Sequence, residues 1–414
     1  MSTAAETKLL SFTEARQTVE QYASTLCATQ PEMLPLLEAL GLVLAENLRA
    51  DRDFPPFPRS TRDGYAVRAT DVAAVPASLR CVGEIKAGAT TERSDIGIAA
   101  GETVEIMTGA PVPAAADAVV MVEYSERNGA VVTVHRSVRA GENIVPAGSE
   151  ARQDSTMVSR GTRVNHAIVA IAAAVGRVEI AAYRRPRVAV LATGDELVDI
   201  NLPPGPNEIR NSNSYSLAAQ VYAAGGEPVI LPVAPDRADE LALLLRKGFQ
   251  SDLLLISGGV SMGKYDLVEQ VLASFDARFL FTGVRIQPGK PVVFGEVALH
   301  GRTIPFFGLP GNPVSTMVTF QLFARPLLDG LAGSKPQPLP FAQASLTTEF
   351  TTKTGLTRFL PAKLGGTHER PEAELVRWQG SGDLMAVSGS NCYIVVPPDR
   401  EHSAAGEAVT VLLF

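Results

Sequence analysis

The centre of the chain reads DLLLISGGVSMGKYD from Asp252 to Asp266. Its unbroken apolar run, Leu253–Ile256, is typical of a parallel strand that is buried on both faces. The glycines Gly258 and Gly259 interrupt this run, and the apolar spacing of a helix begins near Asp266. A strand, a glycine-rich turn and a helix start together form an anion-binding geometry, because glycine lets the backbone approach a ligand and free N–H groups face it. A single loop of this kind is as often structural, so its meaning depends on the loops around it.

The surrounding segment, from Arg187 to Gly330, alternates between strand and helix patterns. Strands are predicted at Arg187–Leu191, Pro228–Leu231, Leu253–Ser257, Arg278–Phe281 and Thr303–Phe307. Helices are predicted at Ser214–Ala224, Ala238–Lys247, Asp266–Phe275 and Pro313–Leu328. This alternation indicates an α/β domain with a mostly parallel sheet and helices on both faces. In such a sheet, ligands bind beyond the carboxyl ends of the strands.

Four polar loops follow predicted strands and are therefore expected at one edge of this sheet. They contain Thr193-Gly194-Asp195-Glu196, Asp236, Ser257-Gly258-Gly259-Val260-Ser261 with Asp266, and Gly308-Leu309-Pro310-Gly311-Asn312-Pro313, and Lys290 lies nearby in Pro288–Pro291. Backbone N–H groups and a lysine suit phosphate. The carboxylates would repel phosphate unless a cation lies between them, and Mg²⁺ is bound by one or two carboxylates plus substrate oxygens. The loops predict a phosphorylated ligand with Mg²⁺, although any single acid could instead be a solvated helix cap.

The N-terminal and inserted segments predict two further domains. Residues 11–50 have a helical pattern, with Ser11 and Glu14 at capping-box spacing and a second helix at Glu32–Leu44. Short valine- and isoleucine-rich pieces separated by turns then predict a small β domain; they are Thr103–Met107, Ala118–Val122 and Ala130–Val134. A later helix, His166–Val175, is apolar over so much of its surface that a packed or dimeric interface is expected.

The C-terminal segment alternates as short strands after the proline-rich linker Ser334–Pro340. Its strands are predicted at Arg358–Leu360, Leu375–Trp378, Asn391–Val396 and Ala408–Leu413, which favours a small β-barrel or sandwich. The chain is thus divided into a helical scaffold (residues 1–50 and 147–180), an inserted β domain (51–146), the α/β domain (181–332) and a C-terminal β domain (341–414).

Composition and missing motifs exclude several classes of function. The net charge of −7 over 414 residues argues against a nucleic-acid-binding protein, which usually has a basic face. Three dispersed cysteines, a polar N-terminus and the lack of a spanning apolar segment predict a cytoplasmic protein without a disulfide framework or a membrane anchor. Gly258-Gly259 lacks the continuation of a phosphate-binding P-loop, no Gly-x-Gly-x-x-Gly follows the first strand, and no histidine pairs plausibly with Ser257 or Ser261 for hydrolysis.

Six motifs, taken in order, resemble the molybdopterin molybdenumtransferase family, the MoeA group that includes the gephyrin E domain. They are RDGYAV (Arg62–Val67), MTGAPVP (Met107–Pro113), TGDEL (Thr193–Leu197), SGGVSMGKYD (Ser257–Asp266), PGKP (Pro288–Pro291) and GLPGNPVS (Gly308–Ser315). The resemblance implies an elongated subunit of four domains, ending in a β-barrel, and a homodimer. In that homodimer, each active site combines the α/β domain of one subunit with the inserted domain of the other.

The reaction implied by the resemblance is the insertion of molybdate into adenylylated molybdopterin with Mg²⁺, which releases AMP and molybdenum cofactor. A molybdopterin adenylyltransferase and proteins that accept the cofactor are the implied partners. Implied catalytic residues are Asp63, Thr108, Glu196, Asp236 and Asp266, and the implied metal ligands are Glu196, Asp266 and Glu150. Implied substrate-binding residues are Ser257, Gly258, Gly259, Ser261, Lys290, Pro310, Pro313, Arg358 and Ser381.

Two positions depart from the family pattern. Glu150 stands where many relatives have an aspartate, and Gln287 stands where relatives often have a lysine before the PGKP motif. Arg285 could replace that missing cation if the strand continues to Gln287, because residues two apart on a strand share a face. Two other functions remain open: the related adenylyltransferase, which attaches AMP to molybdopterin, and a non-catalytic dimeric scaffold of the gephyrin kind.

Overall fold

In the computed structural model, which describes residues 9–88, 96–259 and 267–414, the N-terminal segment contains one helix and two short strands. These are α1 Phe12–Ala23, β1 Pro31–Pro35 and β2 Leu48–Arg49. The predicted capping box is confirmed: the Glu14 N–H donates to Ser11 Oγ at 3.2 Å, and the Ser11 N–H donates to Glu14 Oε2 at 2.8 Å. The predicted helix at Glu32–Leu44 is wrong. Strand β1 pairs instead with Glu179–Tyr183, and Gly41 adopts a left-handed φ of 81° that a helix cannot continue through.

The inserted segment forms a β domain, as its short valine-rich pieces predict. Its strands are β3 Arg59–Ser60, β4 Gly64–Val67, β5 Ala77–Ile85, β6 Glu102–Ile106, β7 Ala118–Met121, β8 Ser125–Asn128, β9 Val131–Val134 and β10 Ile144–Val145. Six of them build one sheet in the order β7-β4-β6-β5-β9-β8. Separate apolar clusters cover the two faces of this sheet, around Val120 and around Ile106. The inserted segment therefore has a core of its own.

The chain then returns to the N-terminal segment through β11 Thr156–Val158, α2 His166–Ala174 and β12 Glu179–Tyr183. Strand β11 pairs with β2 and β12 pairs with β1, so two short sheets join the segments on either side of the insertion. Helix α2 begins after Asn165, whose side-chain oxygen accepts from the Ile168 N–H at 3.0 Å. His166 is an exposed residue in its first turn.

The α/β domain is built on a six-stranded sheet in the order β16-β13-β17-β21-β20-β18. Its elements are β13 Arg187–Ala192, β14 Leu197–Val198, β15 Ile209–Arg210, α3 Ser212–Ala223, β16 Glu227–Ile230, α4 Ala238–Gly248, β17 Leu253–Ser257, α5 Leu267–Ala273, β18 Arg278–Phe281, β19 Ile286–Gln287, β20 Val293–Leu299, β21 Arg302–Leu309, α6 Pro313–Thr319, a π-helical segment Phe320–Ala324 and α7 Arg325–Leu331. The first four strands of the sheet are parallel, which confirms the predicted arrangement. Strand β20 was not predicted, and its antiparallel hairpin with β21 makes the far edge of the sheet mixed.

The C-terminal segment forms a closed barrel that is joined to the α/β domain. Its elements are β22 Phe341–Leu346, β23 Phe350–Thr351, β24 Thr357–Gly366, β25 Pro371–Leu375, α8 Leu384–Ser388, β26 Cys392–Val396, β27 His402–Ser403 and β28 Ala408–Leu413. Strands β24, β25, β22, β28 and β26 pair in a ring. The strand predicted at Leu375–Trp378 is wrong beyond Leu375, where β25 ends. Strand β19 adds to the barrel by pairing Gln287 with Arg358, which fixes the barrel beside the α/β domain.

Helices cover both faces of the α/β sheet, and α1 is one of them. Leu253 and Leu255 of β17 face a core shared with α1, α3, α6 and α7, whereas Leu254 and Ile256 face a second core shared with α4 and α5. Alternate side chains of a strand point to opposite faces, which explains why β17 is apolar throughout. In the described part of the chain, no helix has both the length and the apolar character needed to cross a bilayer.

A buried arginine holds α1 against the interrupted helix that follows β21. Pro326 has no N–H, so it cannot donate the α-helical hydrogen bond to the Leu322 carbonyl, and the π-helical segment lies just before it. Arg16 of α1 supplies a donor: its Nη1 lies 2.7 Å from Leu322 O, and its side chain is only 9 % exposed. The docking of α1 thus satisfies a buried carbonyl that the proline leaves without its usual partner.

Replacing this donor should destabilise the protein. Arg16→Met keeps most of the apolar side chain but removes the hydrogen bonds to the Leu322 and Gln337 carbonyls, which should lower the free energy of unfolding by about 1–3 kcal/mol. The matched control is Glu20→Gln, which removes only the partly exposed ion partner of Arg16 and should cost about 0.5 kcal/mol or less. Urea unfolding curves measure both effects. Equal losses in the two variants would mean that the ion pair, and not the carbonyl, sets the role of Arg16.

Candidate active site

A cleft of about 770 Å³ lies at the carboxyl ends of the parallel strands. Most of its lining comes from five chain segments, and Leu267 and Pro291 complete it: the five are Thr193–Leu197, Ile209–Asn213, the turn with Asp236, Ser257–Gly259 and Pro310–Pro313. The predicted loops of the described chain therefore do meet at one sheet edge. Of the predicted site residues, the cleft brings together Glu196, Asp236, Ser257, Gly258, Gly259, Pro310 and Pro313.

The register of the central strands sets the floor of this cleft. Ser257 of β17 pairs with Ala192 of β13 on one side and with Leu309 of β21 on the other. All three strands therefore end at the same level. Gly258 turns the chain there with a φ of 90°, and a Cβ on it would lie 2.5 Å from the Thr193 carbonyl oxygen. Only glycine fits this turn.

The cleft has fewer free backbone donors than its glycines suggest. The Gly258 N–H donates to Leu309 O at 3.2 Å, so it is occupied within the sheet. The Gly259 N–H makes no hydrogen bond to any described residue. At the start of α6, Pro313 has no N–H and the Val314 N–H donates to Ser381 O at 2.9 Å. Of the two glycine N–H groups, only that of Gly259 is therefore available to a ligand among the described residues.

Two of the predicted acids, Glu196 and Asp236, line the cleft with exposed side chains. The Thr193 hydroxyl donates to Asp236 Oδ1 at 3.1 Å, and the Asp236 N–H donates to a carboxylate oxygen of Asp195 at 3.0 Å. The predicted residues Ser261 and Asp266 lie outside the described ranges. Within those ranges, no cluster of three or more Asp, Glu, His or Cys side chains could hold a metal by itself. A cation bound by these two acids would complete its shell with other ligands, such as water or substrate oxygens.

A lysine recess of about 360 Å³ continues the cleft toward the barrel. It shares Pro310 and Asn312 with the cleft, and Lys290 and Ser381 line its other side. The Asn312 side-chain nitrogen donates to Ser381 Oγ at 2.9 Å, which ties the barrel loop to the loop after β21. Lys290 and Ser381 therefore lie beside the strand-end loops.

An arginine recess of about 390 Å³ follows, and it shares Gln287 and Trp378 with the lysine recess. Arg358 lines it and is 8 % exposed, and this burial lowers the pKa of its guanidinium. Its Nε and Nη2 donate to the Lys353 carbonyl oxygen at 3.0 and 2.6 Å. The cleft and the two recesses form one groove from the acids of the α/β sheet to the arginine of the barrel.

Asp63 and Thr108 form a second constellation, in the inserted domain. Asp63 Oδ1 accepts from both the Thr108 N–H and the Thr108 hydroxyl, each at 2.7 Å. These two hydrogen bonds, with the backbone one larger, lower the pKa of Asp63 below its ordinary value. Neither residue lines the cleft within the described part of this subunit. Asp63 is thus an exposed carboxylate that stays ionised, held by the loop after β6.

The two departures from the family pattern also have defined positions. The Glu150 carboxylate accepts from Arg59 Nη2 at 2.8 Å. The described lining of the cleft includes Glu196 but not Glu150. Strand β19 spans only Ile286–Gln287, so Arg285 lies before the strand, although both Arg285 and Gln287 are exposed. The condition for Arg285 to replace the missing cation is therefore not met: Gln287 lines the lysine recess, whereas Arg285 is not among the described residues that line it.

The sequence prediction missed one run of polar cleft residues, Arg210–Asn213, which joins β15 to α3. Asn211 caps α3, since its side-chain oxygen accepts from the Ser214 N–H at 3.1 Å. The run of asparagine and serine before a helix was the available signal, because these residues favour helix caps.

Comparison with known proteins agrees with this arrangement. Residues 10–176 match the family model described as MoeA N-terminal region (domain I and II), residues 189–330 match a probable molybdopterin binding domain, and residues 343–414 match MoeA C-terminal region (domain IV). A molybdopterin molybdenumtransferase of Bacillus subtilis is 32 % identical over 395 residues, which cover 93 % of this chain and 90 % of the relative. The chain belongs to the MoeA family.

Other members support the same assignment. Molybdopterin molybdenumtransferase 2 of Mycobacterium tuberculosis is 35 % identical to this MoeA-family chain over 406 residues, covering 94 % of the chain and 96 % of the relative. A crystal structure of a molybdopterin biosynthesis moeA protein from Pyrococcus horikoshii has a TM-score of 0.80 and 28 % identity, and it covers 98 % of this chain and 100 % of the other. The expected family, the multidomain fold and the terminal barrel are confirmed.

The hydroxyl of Thr108 should control the ionisation of Asp63. In Thr108→Val, the Asp63 pKa should rise toward its ordinary value but stay below it, because the Thr108 N–H remains as a donor. A ¹³C NMR titration of the side-chain carboxyl measures this pKa, and Thr108→Ser is the control that keeps the hydroxyl. Since folding lowers this pKa, the stabilisation is present above the ordinary carboxyl pKa and is lost as the pH falls through the lowered value. An unchanged pKa in Thr108→Val would contradict the contact.

Proposed function

We propose that this chain is a molybdopterin molybdenumtransferase, which transfers molybdenum from molybdate to adenylylated molybdopterin with Mg²⁺ and releases AMP and molybdenum cofactor. One observation carries the proposal: the carboxylates of Glu196 and Asp236 line a cleft that adjoins the recesses lined by the cations Lys290 and Arg358. The names of the Bacillus and Mycobacterium relatives, both molybdopterin molybdenumtransferases, support it.

The donors in the cleft fit Mg²⁺ together with a phosphorylated substrate. Glu196 and Asp236 offer carboxylate oxygens, and Mg²⁺ commonly takes one or two carboxylates and completes its shell with water and substrate phosphate. Carboxylates without a cation would repel the phosphate that Gly259 N–H and Lys290 favour. When bound, the cation would neutralise phosphate charge between the substrate and these acids.

The protein's own contribution would be positioning and electrostatics. Glu196 and Asp236 would hold the cation at the adenylate end of the groove. Lys290 and Arg358 supply positive charge toward the barrel, where the oxyanion molybdate would bind. Such preorganised charges lower a barrier because they need not reorient during the reaction. No covalent attachment to the protein is needed, since the sulfurs of the substrate displace oxygens of molybdate, which leave as water, and a water molecule cleaves the phosphoanhydride bond that releases AMP.

We also propose that the protein is a cytoplasmic homodimer that receives its substrate from a molybdopterin adenylyltransferase and passes the cofactor to acceptor proteins. Exposed apolar side chains in the segments around β1 and α2 support the dimer: Met33, Leu37, Leu40 and Val178, with Val178 81 % exposed. Apolar side chains of this kind become buried when they lie in a protein–protein interface. A dimer would bring Asp63 and Thr108 of one subunit to the groove of its partner.

The cleft carboxylate Glu196 should be needed for Mg²⁺-dependent AMP release. Glu196→Gln keeps the size of the side chain but removes the charge, and it should weaken the apparent Mg²⁺ affinity by at least about 10- to 100-fold. The assay combines purified protein, adenylylated molybdopterin, molybdate and Mg²⁺ and follows AMP. Glu208→Gln is the matched control, because Glu208 is an exposed carboxylate in the connection between β14 and β15 and is not among the cleft-lining residues.

The same assay separates the alternatives. Turnover of ATP with metal-free molybdopterin in place of the adenylylated substrate would identify an adenylyltransferase. Tight binding of adenylylated molybdopterin without AMP release would identify a scaffold. An unchanged Mg²⁺ dependence in Glu196→Gln would remove this carboxylate from the cation site.

Mixed dimers should show that each active site draws on two subunits. Coexpressed Asp63→Ala and Lys290→Ala subunits are each defective in a different domain, so a mixed dimer would contain one intact site. About a quarter of wild-type activity is expected, because about half of randomly paired dimers are mixed and each has one of two sites intact. The control pairs Glu196→Gln with Lys290→Ala, which lie in the same domain and should not complement. Equal activity in the two mixtures would exclude a shared site.

A further inference from the structure

Asn213 connects three walls of the cleft through its side-chain amide. The nitrogen Nδ2 lies 2.7 Å from Gly311 O, 2.9 Å from Ser257 Oγ and 3.5 Å from Thr316 Oγ1. It thereby links the first turn of α3 to the end of β17 and to the loop after β21. Asn213 is itself held in place, because Asn211 caps the same helix two residues earlier.

The Gly311 carbonyl oxygen shows that the nitrogen of the Asn213 side-chain amide, and not its oxygen, faces Gly311 and Ser257. A backbone carbonyl oxygen only accepts hydrogen bonds, so the atom of Asn213 that faces it must be the nitrogen. This nitrogen has two hydrogens, and its two shorter contacts, to Gly311 O and Ser257 Oγ, use them both. The Ser257 hydroxyl oxygen is therefore an acceptor in this contact.

The direction of the Ser257 hydroxyl follows from that assignment. Ser257 is 2 % exposed but lines the cleft, and within the described chain its hydroxyl donates to no other group. Because Asn213 occupies one lone pair of Oγ, the hydroxyl hydrogen must point elsewhere, and the cleft is where a ligand acceptor would meet it. A buried hydroxyl that is fixed in this way is a preorganised donor.

We propose that Asn213 is a positioning residue, which holds the Ser257 hydroxyl as a hydrogen-bond donor to a phosphate oxygen of the ligand in the cleft. This inference rests on the proposed function for the identity of the ligand. Asn213 does not itself need to touch the substrate. Its effect on binding should therefore pass through Ser257.

A double-mutant cycle tests this coupling. The probe is adenylylated molybdopterin, titrated calorimetrically in the presence of Mg²⁺ and without molybdate, against the wild type, Asn213→Ala, Ser257→Ala and the double variant. Ser257→Ala should weaken binding about 10- to 100-fold, as expected for a lost hydrogen bond to a charged group. Asn213→Ala should weaken binding about 5- to 20-fold in the wild-type background but by no more than about twofold in the Ser257→Ala background, because coupled neighbours are not additive.

A second variant keeps the test available if Asn213→Ala does not fold, which thermal unfolding would show. Asn213→Ser is a neutral variant whose hydroxyl has only one hydrogen, so it cannot donate to both the Gly311 carbonyl and Ser257 Oγ. Part of its loss of affinity should therefore disappear in the Ser257→Ala background. For either variant, an equal loss in both backgrounds would overturn the proposal, since Asn213 would then act only on loop structure. A wild-type affinity in Ser257→Ala would overturn it as well.

The inference and the proposed reaction can fail separately. Coupled losses of affinity in a protein that releases no AMP would refute the reaction and leave the role of Asn213 in place. Normal AMP release with additive losses would do the reverse. A wild-type protein that does not bind the probe would refute both.

Discussion

The shared level at which three parallel strands end is the constraint on which the rest of the structure depends. Hydrogen bonding fixes Ala192, Ser257 and Leu309 side by side. The loops that follow these three residues therefore begin at the same edge of the sheet and lie next to one another. A shift in the register of β17 would move Gly258 off the Thr193 carbonyl and separate the acids from the polar loops. The geometry of the cleft is thus a property of the sheet more than of any single loop.

Polar contacts attach the other parts of the chain to this sheet in defined positions. Arg16 of α1 donates to the Leu322 carbonyl. Arg163, between β11 and α2, pairs through Nη2 with Asp329 Oδ1 of α7 at 2.9 Å, and the Asp329 side chain is only 4 % exposed. Pairing of β19 with β24 places the barrel so that Arg358 and Ser381 extend the cleft into a longer groove. Buried polar groups require their partners, so contacts of this kind specify orientation as well as adding stability.

Much of the α/β domain was predictable because its periodicity is strong. The run Leu253–Ile256 is typical of a strand buried on both faces, and the parallel order then placed Glu196 and Asp236 at one edge. Predictions failed where a distant partner overrode a local pattern. The leucines of Glu32–Leu44 have helical spacing, but β12 offers a strand partner to β1 and Gly41 breaks the helix. Asn213 was missed because a helix-cap asparagine and a cleft asparagine look alike in sequence.

The sequence alone determined the class of the fold, the family and the inventory of charged and polar groups, since these depend on local periodicity and on motifs of contiguous residues. Tertiary structure decided which of those groups remain available. The Gly258 N–H donates to the Leu309 carbonyl, the Glu150 carboxylate pairs with Arg59, and two hydrogen bonds from Thr108 lower the pKa of Asp63. Each of these partners is far away in the chain or in another loop. A hydrogen bond depends on ångström-scale distance and direction, which no spacing along the sequence encodes.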